Sequence, residues 1–284
     1  CQTDPRGTTR LIQYFLFEAL IGMPIRAFFQ EYVFASTRFV SDLCYNRLYL
    51  HRKEVLMGIN NLQQQAYESI RKQIIYSELA PGSKISDKVL EEQLAIGRTP
   101  IREALIQLRN QELVKTIPQS GTYVSKIDIR SASLARYTRE KLEKPILQEC
   151  SAKMTAQDQA KLEKILEQTD QAVIAQNKKA FFDLDTDFHR TCYEIAGKRE
   201  IWDWLESYST HLNRFRWLRL TISELDWGRV LDEHQTMLQS MIDHNFDEVG
   251  FLCTMHLHMI IEEQEYVIHN YPDYFEDIQE RPIK

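Results

Sequence analysis

The sequence predicts a mainly α chain in two parts. The first is an N-terminal winged helix-turn-helix, α with a small β-hairpin wing. The second is a C-terminal all-α helical bundle. Three observations predict this. Nine glycines and eight prolines in 284 residues are few for a turn-rich β fold. Residues 57–127 run helix, helix, short turn, helix, hairpin. From Ser131 onward almost every stretch carries the helical apolar period, with no convincing strand.

The totals agree. An apolar share of 43% and a charged share of 27% suit a soluble globular chain, and the length suits about two cores. The five cysteines, Cys1, Cys44, Cys150, Cys192 and Cys253, are scattered, odd in number and without CxxC spacing. They read as reduced thiols of a cytoplasmic protein, not a disulfide framework or a thiolate zinc site. The most apolar region, 11–34, is broken by Glu18, Arg26 and Glu31, so no membrane span is expected. Residues 57–127 hold nine Lys/Arg against seven Asp/Glu, a net of +2. Residues 128–284 hold nineteen against twenty-nine, a net of −10. A mildly basic module is joined to an acidic one.

Residues 1–56 are rich in Phe, Tyr and Arg without a clean period, and lack the pattern of a signal peptide. One codon spelling of Lys53-Glu54-Val55 is AAGGAGGT, a strong bacterial ribosome-binding sequence a few nucleotides before the codon of Met57. The expectation is that translation starts at Met57 and that 1–56 is upstream DNA read as protein; the alternative is a genuine N-terminal extension.

In the first module, 57–127, apolar Ala66, Ile70, Ile74 and Leu79 predict a helix over 62–79. "APGSKI" (80–85) is a Pro-Gly turn. Ser86 or Asp87 caps a short helix through Val89, Leu90 and Leu94. A tight turn at Ala95-Ile96-Gly97 leads to a helix over 99–110, with Thr99 as N-cap and Pro100 at the first helical position. "LVKTIPQSGTYV" (113–124) is a hairpin. On this third helix Arg98, Arg102 and Arg109 lie within about 40° of one another, beside the apolar stripe of Ile101, Ala104, Leu105 and Leu108. Cations at a helix start oppose the helix dipole. A DNA major groove answers that cost, since a guanidinium can meet phosphate or the O6/N7 edge of guanine bidentately.

The stretch "PGSKIS…LEEQLAIGRTPIREALIQLRNQELVKTIPQSGTYV" resembles the DNA-binding domain of GntR-type bacterial transcription regulators. The resemblance implies that Arg98 and Arg102 contact bases or nearby phosphates and that Thr99 contacts phosphate. It also implies that Lys88 fills a basic position on the second helix, and that Gly121 is the wing tip near the minor groove. Ala95 and Gly97 stand where the family often has Gly and Ser/Thr, which removes a phosphate contact. Lys88 stands where Arg is common, which weakens bidentate base reading.

The second module, 128–284, reads as six or seven helices. Thr155 with Asp158, and Asn245 with Glu248, are spaced as N-terminal caps. "FFDLDTDFHRTCYEIAG" (181–197) puts Asp185 and His189 on one face, with Asp185 amid Phe181, Phe182, Phe188 and Cys192. His234 is centred among Val230, Leu231, Met237, Leu238 and Met241; His256 among Val249, Leu252, Cys253, Met259 and Ile260. A buried carboxylate is costly unless paired or metal-bound. His234 and His256 lie eleven residues either side of Asn245, inside the expected break "DHNFD". An antiparallel hairpin therefore brings them level. Asp185, His189, His234 and His256 make a four-ligand N/O set that suits a divalent metal, zinc first, with nickel, manganese or iron(II) as alternatives. His258, the rival of His256, points about 160° away; His211, His244 and His269 show no such setting.

This module resembles the all-helical FCD effector domain of the FadR branch of the GntR family, through "DxxxH" at Asp185/His189, "EH" at Glu233/His234 and "HL" at His256/Leu257. The resemblance implies that Asp185, His189, His234 and His256 bind the metal and that a small organic acid, a carboxylate effector, docks beside it. Arg139, Arg214 and Arg216 are candidate effector contacts, with salt bridges as the competing role. The expected protein is a cytoplasmic homodimer that grips palindromic double-stranded operator DNA as a repressor and is released by its effector. Two alternatives stay open: a metalloenzyme with a DNA-binding appendage, and a regulator whose metal is purely structural.

Overall fold

The structure, a computed structural model, describes residues 61–276. The 1–56 segment and the expected start at Met57 lie outside the described residues.

Helix α1 runs over 61–75, with Ala66, Ile70 and Ile74 fully buried. It stops four residues short of the expected end. Ser77 takes a left-handed φ of 55°, and the Leu79 N–H bonds back to the Gln73 carbonyl at 3.1 Å. The expected Pro-Gly turn contains a short strand, β1 (Lys84–Ile85). Two residues carry no alternation to read, and the partner is distant in sequence: Lys84 faces Tyr123 and Ile85 faces Thr122.

Ser86 caps α2 (Asp87–Leu94), its hydroxyl accepting from the Val89 N–H. Ala95 is left-handed at φ 53°, and the buried Ile96 anchors the turn. Helix α3 then runs Arg98–Asn110, one residue earlier than expected. Thr99 is not its N-cap. Gly97 is, in extended conformation and with no side chain to bond the free amides. Pro100 is the third helical residue, still in the first turn, where a missing N–H costs nothing. Strands β2 (Val114–Ile117) and β3 (Gly121–Val124) form the hairpin, and the sheet order is β1-β3-β2. The core beneath is built from Ile70, Ile74, Leu90, Ile101, Leu108 and Val124.

Asp128 caps α4 (Ile129–Lys153), accepting from the Arg130 N–H at 2.9 Å. There follow α5 (Ala156–Ile174), opened by the Thr155–Asp158 capping box, and α6 (Lys178–Ile195), capped by Asn177. Next come α7 (Arg199–Tyr208), α8 (Thr210–Thr221) and α9 (Gly228–Ile242). Then α10 (Phe246–Glu262), capped by Asn245, leads to α11 (Gln264–Asn270) and a 3-10 turn at Pro272–Tyr274. Eight α-helices thus follow Asp128 among the described residues, against six or seven expected. The extra breaks fall at Ser209, whose hydroxyl bonds back to the Leu205 carbonyl at 2.8 Å, and at Glu263.

Helix α4 is the spine, packed against α6, α8, α9 and α10. The main core gathers Leu147, Phe188, Cys192, Met237, Cys253 and Leu257 around it. The end of α1 shares a second core with the bundle. Ile75 and Tyr76 pack with Phe181, Phe182 and Leu220. The connection at 125–128 is also held: Ile127 pairs with the chain at Tyr274–Glu276, through bonds of 2.8 and 3.0 Å. No helix among the described residues is long and apolar enough to cross a membrane.

Candidate metal centre and DNA-reading face

Asp185 and His189 are four residues apart on α6, so their side chains leave the same face one turn apart. His234 comes from α9 and His256 from α10, the two arms of the hairpin closed at Asn245. All four are buried, and one ligand-type atom from each lies within 4.8 Å of the others. The two imidazole Nε2 atoms of His234 and His256 are 3.4 Å apart, and His234 Nε2 is 3.9 Å from Asp185 Oδ1. Phe188 stacks on His234 with ring centroids 4.5 Å apart, fixing that ring.

Two further carboxylates flank the rings, and one of them, Glu233, is placed to set the tautomer of His256. Glu233 Oε2 lies 2.9 Å from His256 Nδ1, and Glu143 Oε2 lies 3.2 Å from His189 Nδ1. A proton held on Nδ1 by a carboxylate leaves Nε2 with a bare lone pair pointing inward. His189 Nε2 has no hydrogen-bond partner among the described residues, and its Nδ1 is too poorly aligned for a good bond to Glu143. Buried polar atoms without partners are rare. Converging lone pairs are what a cation satisfies, so the residues present fit a divalent metal.

The electrostatics point the same way. Burial pushes the His234 pKa well below its usual value, helped by His256. Burial also lowers His189, with Arg139 adding to it and Glu143 opposing. Both imidazoles are thus kept neutral, the form that ligates. Burial raises the pKa of Asp185, but Arg216 and the surrounding histidines outweigh it and hold the carboxyl ionised.

A small cavity of about 40 Å³ adjoins the cluster, lined by Arg139, Arg216, Arg219, Asp185, His256 and apolar groups including Phe182. It has room for about three waters. Arg139 is buried. Its Nε donates to Glu143 Oε1 at 2.7 Å, while one terminal nitrogen, Nη2, has no partner among the described residues. Arg216 bonds Asp185 Oδ2 and lies 4.9 Å over the Phe182 ring. Arg219 is paired with Glu263.

Of the three arginines expected at the effector, the structure brings Arg139 and Arg216 to this cavity and leaves Arg214 away from it. Residues two positions apart on a helix point about 160° away from each other. Arg214 is fully buried on the other side of α8 and donates to the Ser125 carbonyl at 2.6 Å. It ties the bundle to the end of the wing. Sequence reasoning missed Arg219, although it shares a face with Arg216 three residues before it. It also missed Glu143, whose signal was an Arg139–Glu143 pair at i, i+4. His211, read as having no core setting, is buried, with Nδ1 accepting from the Asp128 N–H at 3.0 Å. His258, His244 and His269 are exposed.

On the first module, Lys88, Arg98, Thr99, Arg102 and Arg109 are all exposed on α2 and α3, while Ile101, Ala104, Leu105 and Leu108 are buried beneath them. Arg102 is held loosely by Asp87, at 3.5 Å. Gly121 opens β3 at the wing with φ 131°, and a Cβ there would meet the Lys84 side chain at 2.8 Å. Lys84, missed from sequence, thus adds a cation at the wing tip.

Two family matches cover these parts. Residues 62–124 match the gntR family of bacterial regulatory proteins, and residues 136–259 match the FCD domain. The chain is 27% identical over 217 residues to the HTH-type transcriptional repressor RspR of Escherichia coli K12, covering 76% of this chain and 94% of that one. It is 30% identical over 112 residues to the HTH-type transcriptional regulator McbR of the same strain, covering 39% and 51%. The solved structure of E. coli McbR/YncC superposes with a TM-score of 0.64 at 19% identity, over 74% of this chain and 98% of that one. A GntR transcriptional regulator from Rhodococcus sp. RHA1 does so with a TM-score of 0.60 at 16% identity, again over 74% and 98%. These two likenesses establish the fold. The chain belongs to the GntR family of DNA-binding transcriptional regulators, with an FCD domain behind its winged helix.

Proposed function

We propose that this protein is a cytoplasmic, homodimeric repressor in which 57–127 reads DNA and 128–284 binds a divalent metal and a small carboxylate effector. The observation that carries the reading is the buried Asp/His cluster beside a cavity lined by three arginines, one of them with an unpaired buried nitrogen. Asp185, His189, His234 and His256 hold the ion, with Glu233 fixing the His256 nitrogen that faces it and Glu143 placing negative charge beside His189. The bound ion supplies positive charge that draws an anion into the cavity. Arg139 Nη2 and the Arg216 head group take the anion's oxygens in charge-assisted bonds. Phe181 and Phe182 exclude water from one side, which strengthens those bonds. The cavity size favours an acid of few atoms. Such a ligand changes DNA binding only by favouring one of two dimer geometries.

The DNA face acts through Arg98, Arg102 and Arg109, with Lys88 and Thr99 toward phosphate and Gly121 at the minor groove. The uncapped amides at the start of α3 favour a phosphate there as well.

A second reading rests on the donor count. Four protein donors complete a tetrahedral zinc ion, which describes a structural site; an ion of higher coordination number leaves positions open. A thermal-shift panel of small mono- and dicarboxylates, run on metal-loaded and chelator-treated protein, separates the two. Stabilisation by an acid that requires the metal supports the effector site. Metal-dependent melting with indifference to every acid supports the structural ion.

A further inference from the structure

A continuous run of side chains joins the cavity to the DNA-reading module. Arg216 Nη2 sits on Asp185 Oδ2, and Arg216 Nη1 donates to Asn213 Oδ1 at 2.9 Å. Asn213 Nδ2 donates to both carboxylate oxygens of Glu206, at 3.0 and 3.2 Å. Arg71 Nη2 then reaches the Glu206 carboxylate at 3.4 Å and its main-chain carbonyl at 3.3 Å. Arg71 lies on α1, whose buried face packs in one core with α3.

Asn213 is the pivot of this run. It alone must accept on one side and donate on the other. A flipped amide sets donor against guanidinium and acceptor against carboxylate, so both neighbours lock the same orientation. The residue is buried at 4% exposure. It belongs neither to the four-residue cluster nor to the exposed arginine face.

We propose that Asn213 is a positioning residue that couples occupancy of the metal and effector site to the position of α1, and through it to α3. The inference rests on the effector-controlled reading given above. A cation at the cluster competes with Arg216 for Asp185, and an anion in the cavity competes with Asp185 for Arg216. Either one redirects the Arg216 head group and loads or unloads Asn213 Oδ1. The planar amide passes this to Glu206 and so to Arg71. Hydrogen-bond networks with discrete arrangements are a physical carrier of such coupling.

A second contact gives α1 a fixed point. The Tyr76 hydroxyl donates to Asp183 Oδ1 at 2.5 Å, and its ring packs on Phe182 and Trp217 at centroid distances of 5.9 and 4.8 Å. With Tyr76 held, a change at Arg71 tilts the helix instead of sliding it.

The test is amide hydrogen exchange on the full chain, chelator-treated and then supplied with Zn²⁺ alone, for wild type, Asn213→Leu and Arg71→Leu. In wild type, zinc slows exchange in α6 and changes exchange in α1 by about fivefold or more. Both variants keep the zinc content and the α6 response and lose the α1 response. If Asn213→Leu does not fold, Arg71→Leu, at the half-buried end of the run, decides alone. The proposal is overturned if wild-type α1 does not respond while α6 does, or if α1 responds equally in the variants. A wild type whose α6 ignores zinc overturns the metal reading itself, and this proposal with it.

Discussion

Ala95 occupies a left-handed backbone conformation, φ 53°, in the turn before the reading helix. An L side chain there crowds the following carbonyl, at a cost of roughly 1–2 kcal/mol. Ala95→Gly removes that strain and adds some chain entropy to the unfolded state. The expected net outcome is a rise in unfolding free energy of up to about 1 kcal/mol, measured by urea titration; an unchanged or lower value contradicts it. His211 tests burial. Burial first, then the Arg214 guanidinium, pushes its pKa from 6.5 to about 4, with Asp128 opposing. The unfolded chain therefore binds more protons between those values. Stability from this group is complete above about pH 6.5 and is lost as pH falls toward 4, amounting to roughly 3 kcal/mol. His211→Asn keeps an acceptor for the Asp128 N–H and does not titrate, so chelator-treated wild type loses more stability across that window than the variant. Parallel pH profiles for the two contradict the assignment.

At the scale of elements, legibility follows locality. Residues Asp185, His189, His234 and His256 could be singled out because the helical period alone puts them on apolar faces, and because Asn245 marks the hairpin between the last two. The caps at Thr155 and Asn245 were legible for the same reason. Strand β1 was not, since two residues show no period and their partner lies near the end of the module. Nor was the end of α1, which is set by a single left-handed serine. Thr99 was a plausible cap by type, but Gly97 already takes the extended conformation a cap needs. The arginines divide instructively. Arg139 and Arg216 reach the cavity and Arg214 turns away. Which face of α8 meets the cavity depends on α6, α9 and α10 closing around it, and that is tertiary information. Helix α3 carries its own prediction. Arg102→Ala lowers affinity for the specific operator by about 1–3 kcal/mol and relaxes base choice, because the guanidinium is exposed and only weakly held by Asp87. Equal binding of variant and wild type to specific and random duplexes contradicts that role.

At the scale of the whole molecule, the two parts share a core at Tyr76 and Phe182, a bond from Arg214 to Ser125, and the pairing of Ile127 with the chain near Phe275. A bundle so attached can carry a change at the Asp/His cluster to the first module through packed contacts. All of this depends on the cluster holding an ion, since three imidazoles and a carboxylate converge on one point in an apolar interior. The most direct measurement is metal content by elemental analysis of protein purified without a histidine tag, alongside Asp185→Ala and His234→Ala. The account predicts one divalent ion per chain in the wild type, matching the single cluster found among the described residues, and a marked loss in each variant. Wild-type protein that carries no metal and takes up none on dialysis against zinc, nickel or manganese, or variants that keep full occupancy, would contradict it.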